Sequence, residues 1–279
     1  MTAPPRSGVA DAPLILRAGA DTLTIEPTLG ARFASLRVAG QEILLTEGAG
    51  PIWWGCYPMA PFAGRIRDGR FTFAGRVHQL ERNLPPHAIH GTVFDRPWQV
   101  VSRGLDSATL AVDLGPGWPF AGRVSHALSL KPGGLDATLT LEAAEEMPAW
   151  LGWHPWFRRR LGDAAVELDF DATTMYVRDA DGLPTGARSD PDPRPWDDAF
   201  TGLRAAPRLR WPGVLELEMT STAEVWVVFD EREDGVCVEP QTAPPDAINI
   251  AHAEGSAPPT AAPGRALSVS MSLRWSSLA

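Results

Sequence analysis

The chain has 279 residues, of which 44% are hydrophobic and 21% are charged, proportions typical of a folded globular protein rather than a disordered one. Its net charge of −9 argues against a nucleic-acid partner, because phosphate binding requires a basic surface. Lys131 is the sole lysine and lies in a turn sequence. The composition therefore excludes a P-loop and gives no support to a lysine Schiff-base enzyme.

The N-terminal segment is the first feature in chain order. Residues 1–12 are rich in Pro, Ala and Gly, which predicts a loose tail ahead of a single domain over residues 13–279. The start lacks a signal-peptide pattern, and no apolar run reaches the roughly 18 residues of a membrane span. We therefore expect a cytoplasmic protein without membrane contact, in which Cys56 and Cys237 are reduced thiols.

The dominant periodicity after the tail is two. Apolar and polar residues alternate over residues 135–142, 215–220 and 266–275, a pattern typical of half-buried antiparallel strands. The 26 Gly and 27 Pro leave little room for long helices. The sequence predicts an all-β protein, a large antiparallel β-sandwich with few or no long helices, in which the Pro-rich segments 183–196 and 240–263 are ordered loops.

The segment GRIRDGRFTF (residues 64–73) is predicted to contain a hairpin turn at Asp68-Gly69. Arg65 and Arg67 would then point to the same side of the incoming strand. Two interpretations are open at this stage. The arginines are solvated charges that protect a sheet edge, or Arg65 reaches into a pocket as a forked hydrogen-bond donor.

Two segments place histidines among turn-forming or aromatic residues. NLPPHAIHG (residues 83–91) contains His87 and His90, and GWHPWF (residues 152–157) contains His154. A histidine among aromatic rings can act as an acid or base near neutral pH, although a hydrogen-bonded core histidine is the commoner occurrence. With Glu239 these histidines also offer metal ligands, but their spacing is not that of a helical zinc motif, and no metal site is predicted.

Glu239 ends a short apolar strand and precedes a Pro-rich loop in VCVEPQTAPPDAIN (residues 236–249). Stiff turn residues hold a strand-end side chain in place, which suits a functional carboxylate as well as an ordinary strand end. Six of the eleven tryptophans lie in or beside the segments already described. A flat indole face can pack against a sugar ring there, or simply fill the core.

Four of these stretches together resemble the aldose 1-epimerase (galactose mutarotase) family. They are GRIRDGRF (64–71), HAIHG (87–91), WHPWF (153–157) and EPQT followed by PDA (239–247). The resemblance implies a large antiparallel β-sandwich with a sugar cleft, and an isomerase that interconverts the α and β anomers of a free hexose. We accordingly expect a small sugar as the partner, no metal or cofactor, and a monomer or homodimer.

The resemblance also implies three catalytic residues. Glu239 matches the general base that takes the proton from the C1 hydroxyl, and His154 matches the general acid that protonates the ring oxygen. His90 matches a second histidine that hydrogen-bonds the sugar while the ring opens. The acid and the base are expected to flank the reacting atoms from opposite sides.

Further residues are expected to bind the substrate. Arg65 matches the arginine that binds sugar hydroxyls, and Asp197 matches the substrate-binding aspartate, for which Asp198 is an alternative. Three more predicted substrate contacts lie in the matching stretches: His87, Trp153 and Gln241.

Some positions depart from the better-known members and leave two other functions open. His87, the single Gly91 and Trp156 differ from the common pattern, so the sugar is unassigned. A hexose-6-phosphate 1-epimerase of the same superfamily would need a phosphate pocket, for which the arginines at 67, 70 and 158–160 are available. A non-catalytic carbohydrate-binding module would need the tryptophans and an arginine but no paired acid and base.

Overall fold

Two antiparallel sheets, one of eleven strands and one of eight, make up most of the protein. The structure is a computed structural model that describes residues 12–255 and 258–278. Strands account for 56% of the residues and helix for 3%, which confirms the predicted all-β sandwich. The predicted tail lies outside the described residues except for residue 12, and the domain limits stay predictions.

The larger sheet carries the strands that form the candidate site. In chain order they are β1 (Leu14–Ala18), β2 (Asp21–Glu26), β3 (Arg32–Val38), β4 (Gln41–Glu42), β5 (Cys56–Met59), β15 (Gly152–Arg158), β19 (Ala172–Arg178), β20 (Pro184–Ser189), β21 (Asp197–Leu203), β24 (Val225–Phe229) and β25 (Gly235–Gln241). Neighbours in the sheet follow the order β1, β2, β3, β5, β15, β25, β24, β21, β19, β20, and β4 pairs with β3. Strands β5, β15, β25 and β24 therefore lie side by side in the middle of this sheet.

The smaller sheet covers the inner face of the larger one. Its strands are β10 (Gln99–Arg103), β11 (Ser107–Asp113), β12 (Gly122–Lys131), β13 (Gly134–Ala143), β18 (Glu167–Asp169), β22 (Arg208–Trp211), β23 (Leu215–Ser221) and β27 (Leu267–Ser277). Their order in the sheet is β10, β11, β12, β13, β27, β23, β22, β18. Buried side chains from both sheets belong to one apolar cluster.

Four two-stranded ribbons, one 3-10 turn and one α-helix complete the described chain. The ribbons pair β6 (Arg65–Ile66) with β9 (Ala88–Ile89), β7 (Arg70–Phe73) with β8 (Arg76–Gln79), β14 (Met147–Pro148) with β26 (Thr260–Ala261), and β16 (Arg160–Leu161) with β17 (Ala164–Ala165). The 3-10 turn is Arg67–Gly69, and the helix α1 is Ala247–Glu254. Within residues 12–255 and 258–278, no helix has the length and apolar character needed to cross a membrane.

The predicted alternation is seen directly in β13, β23 and β27. The apolar residues of each strand are buried, apart from the half-buried Ala143 and Leu267, and their polar neighbours are partly or fully exposed, as a strand with one inward face requires. The buried side chains are Leu135, Ala137, Leu139, Leu141, Leu215, Leu217, Met219, Val269, Met271, Leu273 and Trp275.

Two local predictions are wrong. Asp68-Gly69 does not close a hairpin, because it lies in the 3-10 turn between β6 and β7, and these strands pair with β9 and β8 instead. The hairpin turn between β7 and β8 is Ala74-Gly75, whose φ angles of 47° and 73° match the left-handed pair that two-residue hairpins favour. The predicted loops also contain β20 and α1, elements too short to show a clear period.

Candidate active site

His154 and Glu239 are partners on two neighbouring strands. Strand β15 pairs antiparallel with β25, with Gly152 opposite Gln241 and Trp156 opposite Cys237, which puts His154 opposite Glu239. Nε2 of His154 lies 3.2 Å from Oε1 of Glu239, and the two side chains are only 8% and 3% exposed. The two groups therefore form a direct pair on one face of the sheet. This side-by-side arrangement differs from the expected one, in which the acid and the base flank the reacting atoms from opposite sides.

Burial dominates the chemistry of the Glu239 carboxyl. Loss of water raises the pKa of Glu239 well above its usual value, and the nearby charge of Asp197 acts in the same direction. Gln241 and Arg65 oppose this shift. Nε2 of Gln241 donates a hydrogen bond to Oε2 of Glu239 at 3.1 Å. The amide thereby fixes the carboxyl beside the imidazole.

Burial acts in the opposite direction on His154. Its ring is stacked between Tyr57, with centroids 5.0 Å apart, and Trp156, with centroids 5.1 Å apart. Burial lowers the pKa of His154 to about 3, and the charges of Arg32 and Arg65 add to this effect. The protein surroundings of His154 therefore favour a neutral imidazole.

These opposite shifts favour a His154–Glu239 pair that shares one proton. A raised carboxyl pKa and a lowered imidazole pKa favour the form with that proton on the carboxyl. The two groups are in contact, so they titrate as a pair with shared macroscopic pKa values. Moving the proton across 3.2 Å converts the neutral pair into an ion pair without any exchange with solvent.

His90 adds a second imidazole to this pair. Its ring centroid lies 4.9 Å from that of His154, with the ring planes at 89°. His90 and Gly91 both have left-handed backbones, with φ of 60° and 81°. A Cβ on Gly91 would meet the carbonyl oxygen of Ala60 at 1.9 Å, so this turn requires glycine. Burial lowers the pKa of His90 well below its usual value, and the charges of His154 and Arg65 contribute.

Two arginines and two aspartates form a polar wall of the cleft. Arg65 and Arg178 each place a terminal nitrogen 3.8 Å from the same Oδ2 of Asp197, and Nε of Arg178 lies 2.6 Å from Oδ1 of Asp198. Both aspartates line the cleft. Asp197 is the more exposed, at 25% against 8% for the Asp198 side chain, which makes it the better placed to meet a ligand.

Apolar side chains form the remaining walls. They include Ile52, Trp53, Trp156, Val227 and Phe229. The space free of protein atoms in the cleft, counted together with the solvent at its open mouth, is about 710 Å³. An indole wall opposite charged hydrogen-bonding groups suits a ligand with both C–H faces and hydroxyls.

The structure does not place two of the predicted substrate contacts in the cleft. Trp153 is fully buried and donates its indole N–H to Nε2 of His126 at 3.1 Å. Alternate residues of a strand point to opposite faces, so Trp156 lies on the same side as His154 and Trp153 does not. His87 is not among the described lining residues, and its Nδ1 accepts a hydrogen bond from the backbone N–H of Asp68 at 3.1 Å.

Sequence reasoning missed Arg178 and chose the wrong tryptophan. Trp156 could have been found from the period of two in GWHPWF, which puts it on the face of His154. Arg178 belongs to none of the recognised motifs and reaches the cleft from β19, two places beyond β24 in the sheet. Only the long-range pairing of strands reveals its position.

His154, Glu239 and Cys237 form a cluster of potential metal ligands. Their ligand atoms all lie within 4.8 Å of one another, and all three residues are buried. An imidazole that binds a metal usually donates its other ring N–H to an acceptor. Nδ1 of His154 has no hydrogen-bond partner among the described residues. The three donor atoms suit a zinc ion, but the hydrogen bond that would orient a zinc-binding His154 is missing among the described residues. That the site holds no metal stays a prediction.

Comparison with known proteins identifies the family. A sequence model of the aldose 1-epimerase family matches residues 15–274, so the chain belongs to the aldose 1-epimerase family. The uncharacterized protein YphB of Escherichia coli is 29% identical over 243 residues, which cover 78% of this chain and 83% of that protein. Galactose mutarotase of Mus musculus is 32% identical over 100 residues, covering 34% of this chain and 29% of that protein.

Solved structures show the same fold. The structure of a putative aldose 1-epimerase from Escherichia coli has a TM-score of 0.82 and 25% identity, covering 96% of this chain and 99% of that one. A galactose mutarotase-like protein from Clostridium acetobutylicum has a TM-score of 0.83 and 18% identity, covering 94% of each chain. The second similarity extends to the fold alone.

Proposed function

We propose that this protein is a mutarotase that interconverts the α and β anomers of a free hexose by acid–base ring opening. The observation that carries the proposal is the 3.2 Å contact between Nε2 of His154 and Oε1 of Glu239 in the wall of a cleft that combines charged hydrogen-bonding groups with aromatic rings. In the proposed reaction Glu239 is the base and His154 is the acid. His90, Arg65 and Asp197 hold the sugar.

Side-by-side placement of acid and base fits this chemistry. Ring opening removes the proton from O1 and adds a proton to O5, and both oxygens are bonded to C1. Two groups 3.2 Å apart can therefore both come within hydrogen-bond reach, about 2.6–3.2 Å, of the two oxygens. The C1–O5 bond breaks as the C1–O1 double bond forms, and rotation about C1–C2 then exposes either face of the aldehyde.

The His154–Glu239 pair shares one proton, and the position of that proton decides whether the pair opens or closes the sugar ring. The ion pair, with a charged imidazole and a carboxylate, opens the ring because it gives a proton to O5 and takes one from O1. This step leaves a neutral imidazole and a protonated carboxyl. That form closes the ring by the reverse transfers, so the pair returns to its starting state without a cofactor. The directions of the two pKa shifts, downward for His154 and upward for Glu239, favour this ring-closing form.

The engaged arginines favour a free sugar over a sugar phosphate. Arg67 is bound by Asp179 and Asp181 and lies 3.8 Å from Asp246. The three arginines at 158–160 donate to backbone carbonyls. Among the described residues, none of these arginines nor Arg70 lines the cleft. The arginines that do line it, Arg65 and Arg178, face aspartates.

Polarimetry of freshly dissolved sugars tests the proposal. The purified protein should accelerate mutarotation of α-D-glucose or α-D-galactose, should act more slowly on glucose 6-phosphate, and should be unaffected by EDTA. A higher kcat/KM for the phosphate would transfer the assignment to a hexose-6-phosphate epimerase. Calorimetric binding of an aldose without accelerated mutarotation, across a small panel of aldoses, would show a carbohydrate-binding module instead of an enzyme.

A further inference from the structure

The imidazole of His154 lies in the middle of a stack with a guanidinium at each end. Tyr57 and Trp156 cover its two faces at centroid distances of 5.0 and 5.1 Å. The guanidinium carbon of Arg32 lies 4.7 Å from the centroid of Tyr57. The guanidinium carbon of Arg232 lies 4.8 Å from the centroid of Trp156. Two cations thus approach the same histidine, each through one aromatic ring.

The two guanidiniums differ in how their charge is compensated. Arg232 is paired with Asp234 at 2.5 Å, and its side chain is 29% exposed. Arg32 is fully buried, and it donates only to the carbonyl oxygens of Pro51 and Trp54. Arg32 forms no ion pair with any residue in the described part of the chain. Arg32 is therefore the end of the stack that keeps an uncompensated charge.

A buried guanidinium without a counter-ion is costly to a fold. Burial lowers the pKa of Arg32 to about 10, and the negative charge of Asp95 opposes this shift only in part. Its Nε also lacks a hydrogen-bond partner in the described residues. Stacking on Trp54 at 4.4 Å offsets part of the cost. An apolar side chain could occupy this position without the free-energy cost of a buried charge. The presence of an arginine here therefore indicates that its charge has a function.

We infer that Arg32 is a positioning residue whose fixed charge, set behind Tyr57, keeps the His154–Glu239 pair from binding a second proton. A doubly protonated pair has no base to take the proton from O1, so it cannot open the ring. The inference rests on the proposed mutarotase function, in which the singly protonated pair is the working form.

Arg32 must be weighed against the other charged and titratable groups that face His154. Glu239 approaches from β25 at 3.2 Å, and His90 stands beside it from the turn after β9. Arg65 approaches from β6, but Asp197 lies 3.8 Å from its guanidinium. The Tyr57 hydroxyl on β5 stays neutral, because burial raises its pKa well above the usual value. Among the described groups, Arg32 is the cation near His154 that lacks a carboxylate partner.

The distance between Arg32 and His154 sets the size of the expected pKa shift. Spacings of 4.7 and 5.0 Å put the guanidinium carbon within about 10 Å of the imidazole centre. At the effective dielectric constant of about 20 that suits protein sites, a unit charge at this distance shifts a pKa by about one unit. Removing the charge should therefore raise the pH at which the pair gains its second proton.

The test compares pH profiles of kcat/KM for mutarotation in the wild type and four variants. Wild type should show a bell-shaped profile, since both gain and loss of a proton inactivate the pair. Arg32→Gln should move the acid limb upwards by about one pH unit, whereas Arg32→Lys, which keeps the charge, should leave it close to the wild-type position. The double variant Arg232→Gln/Asp234→Asn is the matched control and should leave the acid limb unmoved, because it removes both charges of this ion pair and so does not change the net charge at that end of the stack.

Asp234→Asn provides a readout that does not disturb the buried position. It leaves Arg232 uncompensated at the opposite end of the stack, so the acid limb should move downwards by a few tenths of a unit, less than for Arg32 because the group is partly solvated. An unshifted limb in Arg32→Gln, or equal shifts in Arg32→Gln and Arg32→Lys, overturns the inference while the mutarotase function stands. If Arg32→Gln does not fold, Arg32→Met takes its place, because an apolar side chain suits the buried position, and an unshifted acid limb in that variant overturns the inference.

If the wild-type protein catalyses no mutarotation, the proposed function is contradicted, but the effect of the Arg32 charge on His154 can still be tested. NMR titration of His154 in Arg32→Gln and Arg32→Lys then measures the same shift without turnover. A His154 pKa that is equal in wild type and Arg32→Gln would contradict the role of the charge.

Discussion

Protein surrounds His126 completely and leaves only 8% of the His154 side chain exposed, and burial lowers the pKa of each to about 3. His126 lies between the two sheets, where its ring stacks on Phe33 at 5.4 Å and Nε2 accepts the indole N–H of Trp153 at 3.1 Å. His154 lies on the opposite face of the larger sheet, where Nε2 faces the carboxyl of Glu239 at 3.2 Å.

The two histidines differ in the group that faces their ring nitrogen, and their burial does not distinguish them. An indole N–H does not ionise near neutral pH, so it holds His126 as a permanent acceptor. A carboxyl with a raised pKa can give its proton to His154 or take it back. A buried histidine becomes an acid–base group when its ring nitrogen faces a second group that exchanges a proton.

The largest expected contrast is in turnover. His154→Gln should lower kcat by about 10²–10⁴-fold, the usual loss when a general acid is removed. His126→Gln keeps an acceptor oxygen for the indole of Trp153, so its kcat should stay near the wild-type value. Stopped-flow or polarimetric mutarotation assays on both variants measure this. Comparable losses in the two variants would mean that burial alone distinguishes neither histidine.

A second contrast concerns stability against pH. The folded protein keeps His126 neutral down to about pH 3, whereas the usual pKa is 6.5. The unfolded chain therefore binds more protons between these values, and the free energy of unfolding falls as pH is lowered through this window. His126→Gln removes one of these protons, so the dependence should be shallower by up to about 1.4 kcal/mol per pH unit.

Urea denaturation at pH 7, 6, 5 and 4 measures this dependence. His154, with its lowered pKa, adds a slope of the same sign and Glu239, with its raised pKa, one of the opposite sign. The difference between His126→Gln and wild type isolates the core histidine. Parallel curves for the two proteins would show that His126 keeps an ordinary pKa in the fold.

The smallest expected contrast is between the two tryptophans beside these histidines. Trp156→Leu removes a cleft wall and should raise KM by several-fold, in line with about 0.5–1.5 kcal/mol for an aromatic contact. Trp153→Phe should leave KM unchanged and lower the free energy of unfolding by about 1 kcal/mol, because the hydrogen bond to His126 is lost. Steady-state kinetics and urea unfolding measure the two effects. A raised KM in Trp153→Phe would restore its predicted role in binding.

The sheets could be predicted because alternation reports directly on which face of a strand is buried. The period of two in β13 and β27 holds over 10 and 11 residues, long enough to exclude a helix. The two-residue ribbon β6–β9 and the eight-residue helix α1 could not be predicted in this way. Such short elements are fixed by their tertiary surroundings, not by local pattern.

The candidate site was predictable where a motif marks it and not where long-range pairing creates it. Glu239, His154 and Arg65 lie in recognisable stretches, and all three line the cleft. The direct contact of His154 with Glu239 depends on the register of β15 against β25, and strands as far apart in the chain as Arg158 and Gly235 carry no local signal of their register. Arg32 and Arg178 lie outside every motif, and only the long-range pairing of strands brings them to the site.

The decisive measurement is the mutarotation rate of Glu239→Gln beside that of the wild type, with fresh α-D-glucose or α-D-galactose in a polarimeter. The substitution keeps the size of the side chain and removes its ability to take a proton. The proposed mechanism predicts a loss of about 10²–10⁴-fold in kcat with the sugar still bound. Wild-type turnover in Glu239→Gln would contradict a carboxyl–imidazole pair as the catalytic group.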